Sequence, residues 1–173
     1  MTTQSTANSK QTETTARGSK AQNAISLLKS DHRTVEDLFE EYEGARRGER
    51  KQTIVQQICE ELTVHALLEE KAFYPAAQQA LGEEDRDLVE EARVEHSTLK
   101  WLIGQLTKEA SDSEQYAAKV TVLKEYVIHH VKEEEKEMFP KLRKTDLDLD
   151  ELGVTLMETK QQLQQKLQAK AQH

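Results

Sequence analysis

Two stretches of one design decide the fold: residues 65–75 read HALLEEKAFYP, and residues 130–140 read HVKEEEKEMFP. Aligned on their prolines, they share the His, both Glu, the Lys and the Pro. In each copy the His precedes the first Glu by four residues. On a helix this spacing puts both side chains on one face, about 6 Å apart along the axis. An imidazole and a carboxylate one turn apart can bind one metal ion.

The composition favours a single helical domain. Only 36% of the residues are apolar and 32% are charged, so the core must lie along narrow stripes. Two prolines and six glycines leave long stretches without a helix breaker, which favours helices over a turn-rich β architecture. A length of 173 residues suits one domain with one buried core. We therefore expect an all-α fold.

Charge and cysteine content restrict the partners and the compartment. The net charge of −8 argues against nucleic acid or an anionic membrane surface as a partner. The sequence has neither an apolar run long enough to span a bilayer nor the apolar N-terminal segment of a secretory signal. Cys59 is the only cysteine, which excludes an intrachain disulfide and fits a reducing compartment. We expect a cytoplasmic protein.

Four amphipathic stripes follow a polar N-terminal segment. Residues 1–22 lack an apolar period, which predicts a disordered tail. Beyond them, apolar residues recur at steps of three and four, as on one face of a helix. The stripes cover residues 25–42, 54–73, 88–106 and 120–138. Short connections between four such helices predict an up-down-up-down four-helix bundle over residues 23–144.

The remaining segment, residues 145–173, predicts an additional C-terminal helix and tail. Its apolar face consists of leucines: Leu152, Leu156, Leu163 and Leu167. The sequence leaves open whether this helix docks on the bundle, binds a protein partner or mediates self-association. Within the bundle, Pro75 and Pro140 should kink or end their helices, and Ser111 with Glu114 predicts a capping box.

Every stripe carries a His at its middle, and the second and fourth stripes add a Glu. These six residues are His32, His65, Glu69, His96, His130 and Glu134. A hydrogen-bonded core histidine explains any one of them, but a metal ion accounts for all six ionisable groups together. Four imidazoles and two carboxylates exceed the needs of one tetrahedral zinc and suit two bridged ions. Carboxylates shift the preference towards iron or manganese, and we predict a dinuclear non-haem iron centre.

The chain also repeats beyond the shared stretch, since the pair Asp31-His32 matches Glu95-His96. Together these motifs resemble the hemerythrin-like, HHE cation-binding family in its small bacterial form. The motifs are DH, HxxxEExxxYP, EH and HxxxEExxxFP on successive helices, over about residues 25–142. The resemblance implies a hemerythrin-like bundle whose six His and Glu residues bind two non-haem irons with an oxo or hydroxo bridge. It also implies that O2, peroxide or nitric oxide binds or reacts there.

Two departures qualify the resemblance. Oxygen-carrying hemerythrins have HxxxH on the third helix, whereas here Lys100 stands four residues after His96. The missing ligand argues against simple O2 carriage and for an open iron accessible to peroxide, nitric oxide or a side chain such as Tyr126. On the fourth helix, His129 is the alternative to His130, because the step from His129 to Glu134 matches the carriers' five-residue spacing.

Further residues receive supporting roles. Glu70, Glu133 and Glu135 are candidates for orienting an imidazole N–H, although Glu133 and Glu135 fit a solvated charged run better and Glu70 is favoured. Tyr42 and Tyr126 are candidates for donating a hydrogen bond to a metal-bound ligand. Tyr74 is interpreted as packing. The competing functions are iron storage, an iron- or redox-responsive regulatory protein with the C-terminal helix as output, and a metal-free helical adaptor. Peroxide consumption is the enzyme activity that remains open.

Overall fold

The computed structural model describes residues 22–46 and 48–171, and every regular element in that part of the chain is a helix. The predicted disordered tail lies outside the described residues, apart from Gln22. The helices are α1 (Ala24–Gly44), α2 (Glu49–Leu68), α3 (Tyr74–Ala80), α4 (Asp87–Leu106), α5 (Tyr116–Glu133), α6 (Phe139–Leu142) and α7 (Leu149–Ala171), with a short 3-10 turn at Glu83–Asp85. The predicted all-α bundle with an extra C-terminal helix is confirmed. No described helix is both long and apolar enough to cross a membrane.

Both prolines lie inside continuous helical segments, so neither ends its helix at the proline. A π-helical turn precedes each of them, at Glu69–Phe73 and at Glu134–Met138. The amide of the residue before each proline donates to a carbonyl five residues back, from Tyr74 to Glu69 and from Phe139 to Glu134. Such a turn adds one residue to the helix and makes room for a proline ring without ending the rod.

The π turns also decide which side chains face the bundle centre. Tyr74 and Phe139 each follow a motif Glu by five residues, a step that in an α-helix places a residue well off the face of that Glu. The wider π turn returns it to nearly the same face. Both rings are consequently buried, with exposed fractions of 0% and 1%.

The apolar core has two parts. One cluster surrounds the N-terminal half of α1, the two π turns and α7, and includes Leu28, Leu68 and Leu156. The other lies between the C-terminal half of α1, the N-terminal half of α2, and parts of α4 and α5, and includes Phe39, Ile58 and Leu123. The predicted His and Glu residues separate these clusters. They therefore form a polar layer across an otherwise apolar bundle.

Helix α7 docks on the bundle, where it packs against α1 and α2. The contact at its start requires glycine, because a Cβ added to Gly153 would lie 2.3 Å from the Gln22 carbonyl oxygen. Asn23 caps α1 through a side-chain oxygen that accepts from the Ser26 amide. The predicted capping box at Ser111 does not form: α5 begins at Tyr116, and the Ser111 hydroxyl donates to Gln52.

Candidate metal centre

The six residues predicted to bind metal converge in the polar layer. His32 and His96 lie near the middle of α1 and α4, His65 and His130 lie in the last turn of α2 and α5, and each Glu is the first residue of the π turn that follows. All six are buried, with exposed fractions from 0% to 6%. In the absence of a metal, so many buried ionisable groups must neutralise one another. Their geometry divides the layer into two halves. The first half-site is formed by His32 and His65, and the second by His96 and His130.

The first half-site has the properties of an open cation site. His65 Nε2 lies 3.2 Å from Glu69 Oε1, and His32 Nε2 lies 3.3 Å from Glu134 Oε2. All four atoms are buried and have no hydrogen-bond partner of suitable geometry among the described residues. Buried polar atoms are rarely left unpaired, and a cation bound to two imidazole nitrogens and two carboxylate oxygens would satisfy all four. The donor set therefore fits a metal ion.

The second half-site receives the other oxygen of each carboxylate. His96 Nε2 lies 3.3 Å from Glu69 Oε2, and His130 Nε2 lies 3.7 Å from Glu134 Oε1. The two imidazole Nε2 atoms are 3.1 Å apart. Glu69 and Glu134 therefore each direct one oxygen into the first half-site and the other into the second, and so link the two halves.

Tyr74 packs in the apolar core as predicted, and its hydroxyl also belongs to the second half-site, a role that the sequence did not indicate. Its hydroxyl donates to Glu134 Oε1 at 2.9 Å and lies 3.2 Å from His96 Nε2. Burial and the nearby carboxylates of Glu134 and Glu69 raise the pKa of Tyr74 well above its ordinary value, so the phenol keeps its proton in the absence of a metal. Phe139 is the counterpart in the other repeat and stacks on the His32 ring at 6.1 Å.

The two tyrosines favoured from the sequence do not reach the centre. Tyr126 is 41% exposed, and Tyr42 lies beneath the Lys51 ammonium, 4.3 Å from its ring centre. A π turn cannot be recognised from α-helical periodicity, which places Tyr74 off the polar stripe. The signal that could have found it is the Tyr-to-Phe difference between the two otherwise matching motifs.

Each of the four imidazoles in the centre directs its Nδ1 atom away from the half-sites, towards a carboxylate outside the six-residue set, here called an outer carboxylate. These pairs are His32 with Glu135 at 3.0 Å, His65 with Asp31 at 3.6 Å, His96 with Glu70 at 3.2 Å and His130 with Glu95 at 2.7 Å. An acceptor at Nδ1 orients the ring and leaves Nε2 to face the centre. Glu70 occupies the place predicted for it. Glu135 also lies beside an imidazole, where a solvated position was favoured, whereas Glu133 lies beside the exposed His129. The roles of Asp31 and Glu95, the acidic members of the DH and EH pairs, were missed.

Cations anchor three of the outer carboxylates. Lys100 Nζ donates to both oxygens of Glu70, at 2.7 and 2.9 Å. Lys160 of α7 donates to Asp31 at 2.5 Å, and Arg33 donates to Glu135 at 2.7 Å. Lys100, which stands where the oxygen carriers have a fifth His, thus anchors a carboxylate instead. Burial alone would raise the pKa of Glu135, but hydrogen bonds from His32, Lys29 and Arg33 lower it to about 2.

Without a metal, the first half-site holds a proton. Burial disfavours the charged imidazole, but the nearby carboxylates of Glu69 and Asp31 together raise the pKa of His65 to about 10. Burial alone would raise the pKa of Glu69, but His65 and His96 lower it well below its usual range. A metal ion must displace this proton from His65, so binding should strengthen as pH rises.

The structure separates the two candidate histidines on α5. His130 is buried and directs Nε2 into the second half-site, whereas the His129 side chain is 58% exposed and lies outside the polar layer. The internal repeat and the apolar stripe, which favoured His130, therefore select the residue that lies in the cluster.

The sequence and the fold both match known proteins. The Hemerythrin HHE cation binding domain matches residues 23–142, which is most of the chain. This chain belongs to the hemerythrin HHE cation-binding family. A crystal structure of a hemerythrin HHE cation-binding domain-containing protein from Mycobacterium kansasii has the same fold, with a TM-score of 0.75, 23% identity and coverage of 87% of this chain and 93% of that one.

Two curated relatives share sequence with this HHE domain. A DNA nickase from Nostoc sp. is 30% identical over 121 residues, which is 70% of this chain and 34% of the relative. An uncharacterised hemerythrin-like protein from Schizosaccharomyces pombe is 26% identical over 114 residues, which is 66% of this chain and 56% of the relative. The chain thus spans between about a third and just over half of these relatives. The family and the His and Glu clusters together show a cation-binding, hemerythrin-like protein.

Proposed function

We propose that this HHE protein binds two non-haem iron ions, one in each half-site, and reacts there with O2, peroxide or nitric oxide. His32 and His65 would hold one ion, His96 and His130 the other, and Glu69 and Glu134 would bridge them. The observation that carries the proposal is the set of four unpartnered buried atoms in the first half-site, together with the division of both carboxylates between the halves.

Iron is the metal that best suits the ligand types. Imidazole accepts several transition metals, while two shared carboxylates favour iron or manganese over zinc. When bound, a pair of irons supplies one-electron redox chemistry and open positions for a small oxidant. The protein positions the ligands: the outer carboxylates orient each imidazole, and the apolar clusters on either side exclude water from the layer.

The space beside the centre suits a diatomic molecule or a peroxide. A cavity of about 20 Å³ borders all four histidines, and its remaining wall is largely apolar, including Val35, Leu99 and Val131. A volume of roughly 10–15 Å³ is what a single water requires, so a much larger substrate would not enter. Tyr74 carries the one hydroxyl within hydrogen-bond distance of the second half-site among the described residues, and would present a proton to a ligand there.

Metal analysis with visible spectroscopy tests the proposal. Protein purified in air without a tag should contain about two irons per chain and absorb as a bridged ferric pair, and its spectrum should change on addition of peroxide. His65→Ala combined with His130→Ala should remove the iron and the absorption. The matched control is His129→Ala, which removes an exposed imidazole next to His130. One zinc, or no metal in a folded protein, would refute the redox function.

A regulatory function is the second candidate, because the C-terminal helix contacts the centre. Lys160 of α7 donates to Asp31, whose other oxygen lies 3.6 Å from His65. Metal occupancy could change the docking of α7 through this link and so signal iron or redox state to a protein partner. In that case the metal should alter the protease sensitivity of α7 without peroxide turnover. The metal-free adaptor is disfavoured by the unpartnered buried atoms.

The DNA nickase activity in the name of the Nostoc relative is not carried over to this chain. The chain spans 34% of that protein, and its net charge of −8 disfavours binding to the phosphate backbone of DNA.

A further inference from the structure

The outer carboxylates differ in what neutralises them. Asp31, Glu70 and Glu135 each accept a hydrogen bond from a lysine or an arginine. Glu95 forms no ion pair with a lysine or arginine among the described residues; its Oε1 atom lies 3.3 Å from His129 Nε2. The same nitrogen lies 3.1 Å from Glu133 Oε1. The other outer carboxylates thus contact a lysine or an arginine, whereas Glu95 contacts the His129 imidazole, which is shared with the Glu133 carboxylate.

The spacing of these three groups suits a metal ion. Ligand atoms about 2.1 Å from an ion at tetrahedral angles lie about 3.4 Å from one another. The observed separations of 3.1 and 3.3 Å are close to that value, and one ligand atom from each residue lies within 4.8 Å of the others. His129 is 58% exposed, so water can complete the coordination.

The local charge also favours a cation. Glu95 and Glu133 contribute two negative charges from adjacent helices, α4 and α5. The carboxylates of Glu91 and Glu137 add to the negative potential at Glu133. Among the side chains whose charges act most strongly on Glu133, His129 is the one that can be positive. A concentration of one sign of charge attracts counter-ions. A divalent ion would relieve this repulsion while using the ligand types that transition metals prefer.

We propose that Glu95, His129 and Glu133 form a second, surface site for a divalent transition-metal ion. Glu95 joins this site to the buried centre, because its Oε1 atom faces His129 while its Oε2 atom accepts from His130 Nδ1 at 2.7 Å. An ion captured at the surface is therefore separated from the second half-site by a single carboxylate and an imidazole. The proposal does not depend on which metal the buried centre binds.

Measurement of the zinc bound to the 173-residue chain tests the surface site. Iron-loaded protein is dialysed against a modest excess of zinc, and both metals are measured in the protein and in the dialysate. We expect about one zinc per wild-type chain above the dialysate level, and a loss of at least tenfold in zinc affinity in His129→Asn and in Glu133→Gln. The matched control, Glu91→Gln, removes the same charge beside Glu133 without removing a ligand and should retain the zinc.

The buried metal reports separately on the inner centre. Iron content should remain equal in the wild type and the three variants, which distinguishes loss of the surface site from unfolding. If the buried centre binds zinc instead of iron, total zinc should still fall by about one ion per chain in His129→Asn. Equal zinc content in wild type and His129→Asn, or equal losses in Glu91→Gln and Glu133→Gln, would overturn the proposal.

Discussion

The two halves of the metal centre share one pairing of His and Glu but differ in how their inner atoms are partnered. In the first half-site, the Nε2 atoms of His32 and His65 and the facing carboxylate oxygens lack hydrogen-bond partners within the part of the chain that the structure describes. In the second, the Tyr74 hydroxyl lies within hydrogen-bond distance of His96 and Glu134. Two similar motifs therefore form one half-site whose inner atoms are free to bind a cation and another whose inner atoms contact the Tyr74 hydroxyl.

The largest effect should come from a residue that both halves share. Glu134→Ala removes one carboxylate oxygen from each half-site, so we expect both ions to be lost. The metal-dependent stabilisation, on the order of 4 kcal/mol when free metal exceeds the dissociation constant about a thousandfold, should disappear with them. Metal content and thermal unfolding with and without chelator measure this. The exposed Glu137→Ala is the control, and retention of both metals in Glu134→Ala would contradict bridging.

The pH dependence of the metal-free protein should reveal the proton in the first half-site. A raised His65 pKa, about 10 against 6.5, contributes stability that is fully present below pH 6.5 and lost as pH rises through 10. A lowered Glu135 pKa, about 2 against 4.5, contributes stability above pH 4.5 that is lost towards pH 2.

We therefore expect the metal-free protein to be most stable between about pH 4.5 and 6.5, with an alkaline loss of a few kcal/mol. Urea unfolding across this range measures the profile. His65→Gln should flatten the alkaline limb, whereas the exposed His129→Gln should leave it unchanged. An unchanged alkaline limb in His65→Gln would show that another group holds the proton.

Exchange of the aromatic residues should test the contrast between the halves. Tyr74→Phe makes the second half resemble the first and leaves Glu134 Oε1 without its hydroxyl donor. The metal-free protein should lose about 1–3 kcal/mol, the cost of leaving a buried acceptor unpaired. The metal-loaded protein should lose less, because the ion supplies a partner. Denaturant unfolding of both forms checks this, with the buried Tyr116→Phe as control; equal losses in the two forms would contradict it.

The smallest effects should come from the lysines that anchor the outer carboxylates. Lys160→Met removes the cation at Asp31 in the first half, and Lys100→Met removes the cation at Glu70 in the second. Loss of a carboxylate that is hydrogen-bonded to a metal ligand weakens metal affinity about tenfold to a hundredfold. The lysines bind these carboxylates and not the ligands, so we expect each substitution to weaken metal affinity at most about tenfold. Lys160 should matter more, because its side chain is 22% exposed and that of Lys100 is 43% exposed. Competition with a chelator measures both affinities.

Much of the fold was predictable because α-helical periodicity is local. Steps of three and four placed the long helices, and the His and Glu residues on those stripes, such as His32 and Glu69, all lie in the buried layer. The choice of His130 over His129 followed from the same periodicity. The π turns were not predictable, since a proline within an apolar pattern ordinarily indicates the end of a helix.

Sequence alone determined the family motifs, their internal repeat and the set of ionisable groups that face the bundle centre, because these depend on side-chain spacing along single helices. Tertiary structure decided the inward position of Tyr74, the pairing of each imidazole with a carboxylate from another helix, and the contact of Lys160 with Asp31. Those features join residues between 22 and 129 positions apart in the chain. The physical reason is that hydrogen bonds and ion pairs between helices depend on helix phase and packing, which π turns and the docking of α7 set only in the folded molecule.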